Sequence, residues 1–349
     1  MVSKHPELPV LRRRDLLVAA GAGLCLPARA QRGRSVTDSA GRRVGVPAQV
    51  QRIFPAGPPA AIWLYTLAPD ALLGWPRANH APELEFLLPG IGNRPELGRL
   101  TGRGNTANLE QVLALKPDLI IDAGSTRQTF VELAERVQSQ TGIPYALIDG
   151  RLEATAQGYT LLGELTGRTE RAATLARYAS DTLRTVRERV ALAPAQPRVY
   201  YARGPEGLQT GLGGSINVEI FEAMGIRHVG AGLRGGLVTV PMEQVLTWDP
   251  EVIVTIDQDF ARTVQANPLW RGVSAVRSGR VHLSPKLPFG WVDFPPGVNR
   301  LPGLWWLGSK VFPALFPEDL ATITRDFYRL FYQVDLSPAQ VARVLAGRD

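Results

Sequence analysis

The chain has 349 residues, of which 45% are hydrophobic and 20% are charged, a balance typical of a globular protein. The formal net charge of +7 is carried by scattered arginines and not by runs of like charge, so the sequence does not indicate nucleic-acid binding. Mean hydropathy is −0.04, and apolar runs of about 18 residues or more are missing, so the sequence predicts no membrane-spanning helix.

Residues 1–30 have the three-part pattern of an export signal: a basic start, a weakly apolar middle and small residues around Ala28–Ala30. Arg13-Arg14 resembles the twin-arginine motif of the Tat export route, with Sec export as the alternative. We expect cleavage after Ala30, before Gln31, and therefore a periplasmic protein.

The only cysteine of the chain, Cys25, lies inside this signal. A lipid anchor would need a small residue directly before the cysteine, and Leu24 stands there. We therefore expect no lipid anchor, and a mature chain without disulfides or thiolate metal ligands.

Downstream of the signal, the segment Ser35–Pro47, "SVTDSAGRRVGVP", predicts a β-hairpin. Short apolar runs then alternate with helical patterns. The predicted strands of this part are "DALLGW", "DLIIDA" and "PYALID", and the predicted helices are "NLEQVLAL" and "TFVELAERVQSQTG". Such alternation is typical of parallel βαβ units.

Residues 166–192 predict one long amphipathic helix, with Thr166 as its cap, because Leu175, Ala179 and Leu183 recur at helical spacing without an interrupting proline. The alternation restarts after it. The predicted strands of this second part are "RVYYAR", "EVIVTI" and "VHLSP", the predicted helices are "NVEIFEAMG" and "EQVLTW", and the C-terminal part is helical and rich in aromatics. The chain thus divides into a first lobe (31–165), a linking helix (166–192) and a second lobe (193–349).

One phrase occurs in both lobes: "NLEQVLALKPDLII" at 108–121 and "PMEQVLTWDPEVIV" at 241–254. Each copy predicts a short helix, a corner and a buried strand, with Pro117 and Pro250 ending the helices. The spacing, 133 residues from Glu110 to Glu243, fits a duplicated domain. The predicted fold is α/β, with two Rossmann-like lobes joined by one long helix and a ligand cleft between them.

These segments, together with the export signal and "FGWVDFPPGVNRLPGLWWL" near the C-terminus, resemble the class III (cluster A, helical-backbone) periplasmic substrate-binding proteins of ABC importers. The resemblance covers the chain from about Ser35 onward. It implies a monomer without enzymatic activity or cofactor that delivers a small molecule to an ABC permease and its ATPase in the inner membrane.

For the ligand, the resemblance and the mixture of arginine and aromatic residues favour a metal chelate of the iron-siderophore, haem or corrinoid type. A molybdate or tungstate oxyanion is the alternative within the same family. An exported enzyme on a duplicated α/β scaffold is the alternative from another class of protein.

The resemblance also implies that Glu110 and Glu243, one on each lobe, dock into arginine pockets of the permease. Two carboxylates on rigid short helices would give two matched electrostatic contacts. The alternative is that each glutamate only favours the dipole of its own helix.

The ligand is expected on loops at the carboxyl ends of the strands, where open α/β sheets bind their ligands. Arginines there suit anions and aromatics form apolar walls. The candidates are Arg103, Arg203 and Arg300 for anion contacts, Tyr201, Phe289 and Trp291 for walls, and Asn299, which would donate to a ligand oxygen or brace its own loop. The alternative for each is a solvated arginine or a packing aromatic.

Metal binding and catalysis are not indicated. His80, His228 and His282 are far apart in the sequence and lack the spacing of a metal site. Asp257 and Asp259 are paired carboxylates without a nucleophile or acid partner nearby.

Overall fold

The computed structural model describes residues 1–2, 33–102, 104 and 106–348. Arg103 and the predicted export signal, apart from Met1 and Val2, lie outside the described residues. Among the described helices, none is both long and apolar enough to span a bilayer.

The strands and helices of the described part follow the predicted alternation. The strands are β1 (Arg34–Thr37), β2 (Arg43–Val46), β3 (Ile53–Pro55), β4 (Leu119–Gly124), β5 (Tyr145–Asp149), β6 (Arg198–Ala202), β7 (Gln209–Gly211), β8 (Arg227–His228), β9 (Leu237–Thr239), β10 (Val252–Thr255) and β11 (Val281–Leu283). The helices are α1 (Pro58–Leu67), α2 (Ala81–Leu84), α3 (Leu109–Ala114), α4 (Gln128–Thr141), α5 (Thr155–Thr166), α6 (Thr169–Val190), α7 (Glu219–Ala223), α8 (Met242–Trp248), α9 (Gln258–Thr263), α10 (Ser274–Arg277), α11 (Arg300–Val311), α12 (Leu320–Phe327) and α13 (Pro338–Leu345).

Each lobe is built on a parallel sheet. The first has the order β3-β4-β5 and the second β11-β10-β6-β8. β1 and β2 form an antiparallel hairpin in which Val36 faces Val44, at the place where the sequence predicts one. Two parallel sheets flanked by helices and linked by α6 form a two-lobed α/β fold, as the sequence predicted.

The segment "DALLGW", predicted as a strand, is different. It contains only isolated bridges, between Leu72 and Ile53 and between Trp75 and Glu96. Gly74 lies so close to a neighbouring segment that a Cβ on it would stand 2.3 Å from the carbonyl oxygen of Pro95. This close backbone contact holds the segment around Gly74 in place, and the segment does not form a regular strand.

The linking helix α6 begins three residues later than the sequence suggests. Gly167 adopts φ 74°, the left-handed conformation that commonly ends a helix, and it ends α5. Thr166 is therefore the last residue of α5 and not the cap of α6. From Thr169, α6 runs for 22 residues and buries Leu175, Ala179 and Val186.

One continuous apolar core joins the lobes. It contains residues of both sheets, of α6 and of the aromatic C-terminal helices, while each lobe adds a smaller core on the far side of its sheet. On α6, Arg171 donates to the carbonyl oxygens of Thr66 and Leu330, 2.6 and 3.0 Å away. This helix therefore connects the first lobe with the C-terminal segment at a fixed spacing.

Candidate functional site

The cleft lies where the carboxyl ends of the strands of the two lobes meet. A cavity of about 40 Å³ is lined by Pro58 and Ile62 of α1, by Trp75 and Arg77, and by Phe289 and Pro295 from the loop after β11. Residues from both lobes thus form its walls. The rings of Trp75 and Phe289 contact each other across it, with centroids 5.7 Å apart.

The predicted aromatic walls take different positions. Phe289 lines this cavity and is 6% exposed. Trp291 is fully buried behind the loop. A Cβ on Gly303 of α11 would lie 2.0 Å from the Trp291 carbonyl oxygen, so only a glycine lets the helix pack this closely.

The side chain of Tyr201, the third predicted wall, contacts a carboxylate through its hydroxyl group. Its hydroxyl donates to Asp293, 3.0 Å away, and burial raises the pKa of the phenol well above its usual range. The amide of Asn217 donates to the other oxygen of Asp293 at 2.8 Å. Sequence reasoning missed Asp293, although it is the only acidic residue between Pro285 and Asn299.

Arg203 lies beside the same carboxylate, with Nη1 3.5 Å from Asp293, and its side chain is 8% exposed. Within the described chain, its Nε and Nη1 groups are buried and have no hydrogen-bond partner. Its guanidinium is 6.0 Å from the ring of Phe294, which is 70% exposed and precedes the cavity residue Pro295. Nη1 is still compensated by the Asp293 carboxylate, but the buried Nε donor has no acceptor. A buried donor without an acceptor is costly, so this arginine is suited to receive an anion.

Arg300 is fully buried, and its guanidinium is directed at protein groups. It donates to Glu219 of α7 at 2.9 Å, to the Gly150 carbonyl at 2.7 Å and to Gly297 at 3.1 Å. Glu219 also accepts from the backbone of Leu152 at 2.9 Å. Because Gly150 and Leu152 follow β5, this ion pair connects the two lobes at the base of the cleft.

Asn299 braces its own loop, the second of the two roles considered for it. Its side-chain amide donates to the Phe289 carbonyl at 3.0 Å, and its oxygen accepts from Tyr332 at 2.7 Å. The loop that carries Phe289 is therefore held against the C-terminal segment.

Thr101, two residues before Arg103, contacts a buried carboxylate. Thr101 donates to Asp122 of β4 at 3.0 Å, and the hydroxyl of Tyr145 donates to it at 3.3 Å. Burial, only partly offset by these hydrogen bonds, raises the pKa of Asp122 to about 6. The start of the loop that contains Arg103 is thus linked to a group that titrates near neutral pH.

The histidines show no metal-site arrangement. Burial lowers the pKa of His228 and of His282 to about 4, so both are neutral at pH 7. In residues 33–102 and 106–348, no group of three or more His, Cys, Asp or Glu side chains is placed to hold a metal ion.

The repeated phrase forms the same corner in both lobes. Glu110 and Glu243 stand exposed in the first turns of α3 and α8. After each helix comes a residue with left-handed backbone immediately before proline, Lys116 with φ 47° and Asp249 with φ 38°.

Equivalent side chains hold the two corners. Arg52 Nε donates to the carbonyl of Lys116 at 3.2 Å, and Arg198 Nε donates to the carbonyl of Asp249 at 3.1 Å. After each proline an acidic side chain accepts a backbone N–H: Asp118 from Arg52 at 2.9 Å, and Glu251 from Arg198 at 2.8 Å. The corners are thus fixed by the same hydrogen-bond pattern.

Both helices start near the cleft. In the first lobe, the backbone N–H of Leu100 donates to Ala56, just after β3, and the chain then continues into α3. In the second, Val240, two residues before α8, donates to Leu208 on the segment between β6 and β7. Because both helices end at the starts of strands, the glutamates in their first turns lie on the cleft side of their own lobes.

Two α/β lobes, a linking helix and a cleft at the strand ends define a two-lobed solute-binding protein. Residues 92–287 match the model of the periplasmic binding protein family. The match covers more than half of the chain, and the chain belongs to this family. The members of this family are periplasmic binding proteins, which supports a periplasmic location.

Individual relatives agree with this assignment. The chain is 26% identical over 275 residues to the molybdate-binding protein MolA of Haemophilus influenzae, covering 71% of this chain and 77% of that one. It is 26% identical over 260 residues to a cobalamin-binding protein of Halobacterium salinarum, covering 70% and 66% of the two chains. An ABC transporter solute-binding protein of Sulfurospirillum deleyianum superimposes with a TM-score of 0.81 at 29% identity, covering 89% and 98%.

Proposed function

We propose that this protein captures a compact, oxygen-rich anion of the molybdate or tungstate type in its cleft and delivers it to an ABC permease. The observation that carries the proposal is Arg203, which is buried in an ion pair with Asp293 and has a buried Nε group without an acceptor. A guanidinium suits oxyanion oxygens because its donors form a fixed planar fork.

The size of the cleft supports the same ligand class. The cavity between Pro58 and Phe289 encloses about 40 Å³, far below the range of roughly 300–1,000 Å³ for sites that hold larger small molecules. So small a space favours a compact oxyanion over a corrinoid. This reverses the order expected from the sequence, in which a metal chelate came first.

The relatives support both ligand classes. MolA is named as a molybdate-binding protein, and this name favours the oxyanion. The name of the Halobacterium relative favours a corrinoid, so a metal chelate stays the second candidate. No observation favours the exported enzyme.

Within the cleft, we assign Arg203 as the anion contact and Phe289 as a wall. Tyr201 positions Arg203 through Asp293, and Asn299 and Trp291 support the loop that carries Phe289. Arg300 connects the two lobes and is not assigned to the ligand, because its N–H groups already donate to Glu219 and to the Gly150 carbonyl. Arg103 is kept as a proposed second anion contact on the loop that Thr101 anchors.

We further propose that Tat-type export and cleavage after Ala30 release the protein into the periplasm as a monomer. There Glu110 and Glu243 dock on the permease of the importer, whose ATPase drives uptake. The support is their exposure on matching rigid corners, each on the cleft side of its lobe.

The ligand assignment is tested by a thermal-shift screen of the mature protein. Molybdate, tungstate, sulfate, a ferric siderophore, haem and cobalamin are each added separately. A ligand at a hundredfold excess over its Kd raises the free energy of unfolding by about 2.7 kcal/mol. We expect molybdate or tungstate to stabilise the protein; stabilisation by a chelate alone would contradict the oxyanion assignment.

Variants of Arg203 test the site itself by calorimetric titration. Arg203→Met should weaken anion binding by at least about thirtyfold, because a buried charge partner is lost. Arg203→Lys, which keeps the charge but not the fork, should fall in between. Arg184→Met removes an exposed arginine from α6 and is the matched control. Unchanged affinity in Arg203→Met would remove this residue from the site.

A further inference from the structure

Two leucines occupy the same place in the repeated corners. Leu113 follows Glu110 by three residues and is 43% exposed, and Leu246 follows Glu243 by three residues and is 41% exposed. Residues three apart lie on the same side of a helix. Each corner therefore presents a carboxylate and an apolar side chain next to each other.

A buried valine fixes the orientation of each of these two helices, α3 and α8. The valine between each glutamate and its leucine is buried, Val112 at 1% exposure and Val245 at 0%. With valine in the core, the glutamate and the leucine must both face outward.

Single exposed leucines are common on protein surfaces. Here, however, exposed large apolar side chains are few in the described part of the chain: Met1, Val2, Leu113, Leu192, Leu233, Leu246, Leu269 and Phe294. Two of these occupy equivalent positions of the duplicated unit with nearly equal exposure. A matched pair indicates a common role.

We propose that Leu113 and Leu246 are the apolar half of the permease-docking surface, each entering an apolar pocket beside the basic pocket that receives the neighbouring glutamate. The inference rests on the docking role proposed for Glu110 and Glu243. Two equivalent surfaces on one chain fit a partner that presents two copies of one site, as a two-fold symmetric permease dimer does.

The two halves of this surface act on different steps of docking. Complementary charges speed the encounter and make it depend on salt, whereas buried apolar contacts chiefly slow dissociation. The leucines thus determine how long the complex lasts, and the glutamates determine how fast it forms.

The test is a kinetic binding measurement on the full permease–ATPase complex in nanodiscs, at two salt concentrations. Leu113→Ala and Leu246→Ala should each speed dissociation roughly fivefold, and the double variant about twenty-five-fold, since each removes a partly buried leucine contact. The association rate and its salt dependence should stay at wild-type values. Leu192→Ala, at a leucine that is 74% exposed beyond α6, is the matched control and should change nothing.

The variants Glu110→Gln and Glu243→Gln separate this inference from the docking proposal. Slower association in these variants, with wild-type dissociation in the leucine variants, would overturn the inference and leave the docking role standing. Wild-type kinetics in both sets would overturn both. If the leucine variants instead changed the sedimentation of the free protein, the leucines would cover a self-association surface and the inference would fail.

Discussion

Lys116 and Asp249 have the same left-handed backbone, with φ 47° and 38°, at equivalent positions of the two lobes. Each is followed by a proline, and each lies in the corner between a short helix, α3 or α8, and the buried strand that follows it. Left-handed backbone is unfavourable for a residue with a Cβ. Both lobes thus keep the same strained corner beneath their exposed glutamate.

The strain predicts that Lys116→Gly stabilises the protein. Glycine removes the Cβ clash, worth roughly 1–2 kcal/mol, but loses more chain entropy on folding, so we expect a net gain of up to about 1 kcal/mol. Chemical denaturation at pH 7 measures it. A loss of stability would mean that the Lys116 side chain contributes more than its backbone costs.

Asp249→Gly should behave differently although its backbone is the same. The carboxylate of Asp249 accepts from the backbone N–H and the hydroxyl of Ser274, both at 2.8 Å. Two hydrogen bonds to a charged group exceed the relief of strain, so we expect a loss of about 1 kcal/mol or more. Equal gains in both variants would contradict this account of the second corner.

Asp122 predicts a dependence of stability on pH. Burial raises its pKa from 3.8 to about 6, so between these pH values the folded protein holds a proton that the unfolded chain has lost. Its contribution to stability therefore falls as the pH rises through this window, by about 1 kcal/mol from pH 5 to pH 7. Asp122→Asn removes the titrating group. The free energy of unfolding of this variant relative to wild type should therefore rise by about 1 kcal/mol from pH 5 to pH 7. A pH-independent difference between the two proteins would contradict the prediction.

The Arg300–Glu219 pair predicts a large stability effect. Arg300→Met leaves Glu219 without its buried partner, and we expect a loss of about 3–5 kcal/mol in the free energy of unfolding. Arg187→Met, which removes an exposed ion pair with Glu153, is the control and should cost less than about 1 kcal/mol. A variant with wild-type stability but weakened ligand binding would show that Arg300 contacts the ligand and does not connect the two lobes.

Much of the fold was predictable because its signals are local. The hairpin needs only alternation and a turn at Gly41, and Pro117 and Pro250 mark where helices end. The segment around Gly74 could not be predicted, because its conformation depends on Pro95, a contact across the chain. The predicted start of α6 was wrong, because the sequence alone does not show whether Gly167 lies inside a helix or separates two helices.

The site was less predictable, because burial decides what an arginine does. Arg203 and Arg300 look alike in the sequence, since both lie next to segments rich in Gly and Pro. In the structure, Arg203 pairs with Asp293 and keeps a buried Nε without an acceptor, whereas the donors of Arg300 are used by Glu219 and Gly150. Asp293, which organises this region, gives no sequence signal beyond being a lone acidic residue in an apolar loop.

The most direct measurement of the central claim is uptake by the reconstituted importer with the double variant Glu110→Arg and Glu243→Arg, alongside calorimetric titration of the same protein with its ligand. Charge reversal at both corners should place like charges against the permease and abolish uptake while ligand affinity stays at the wild-type value. Uptake at the wild-type rate, or a large loss of ligand affinity, would contradict the docking role of the two corners.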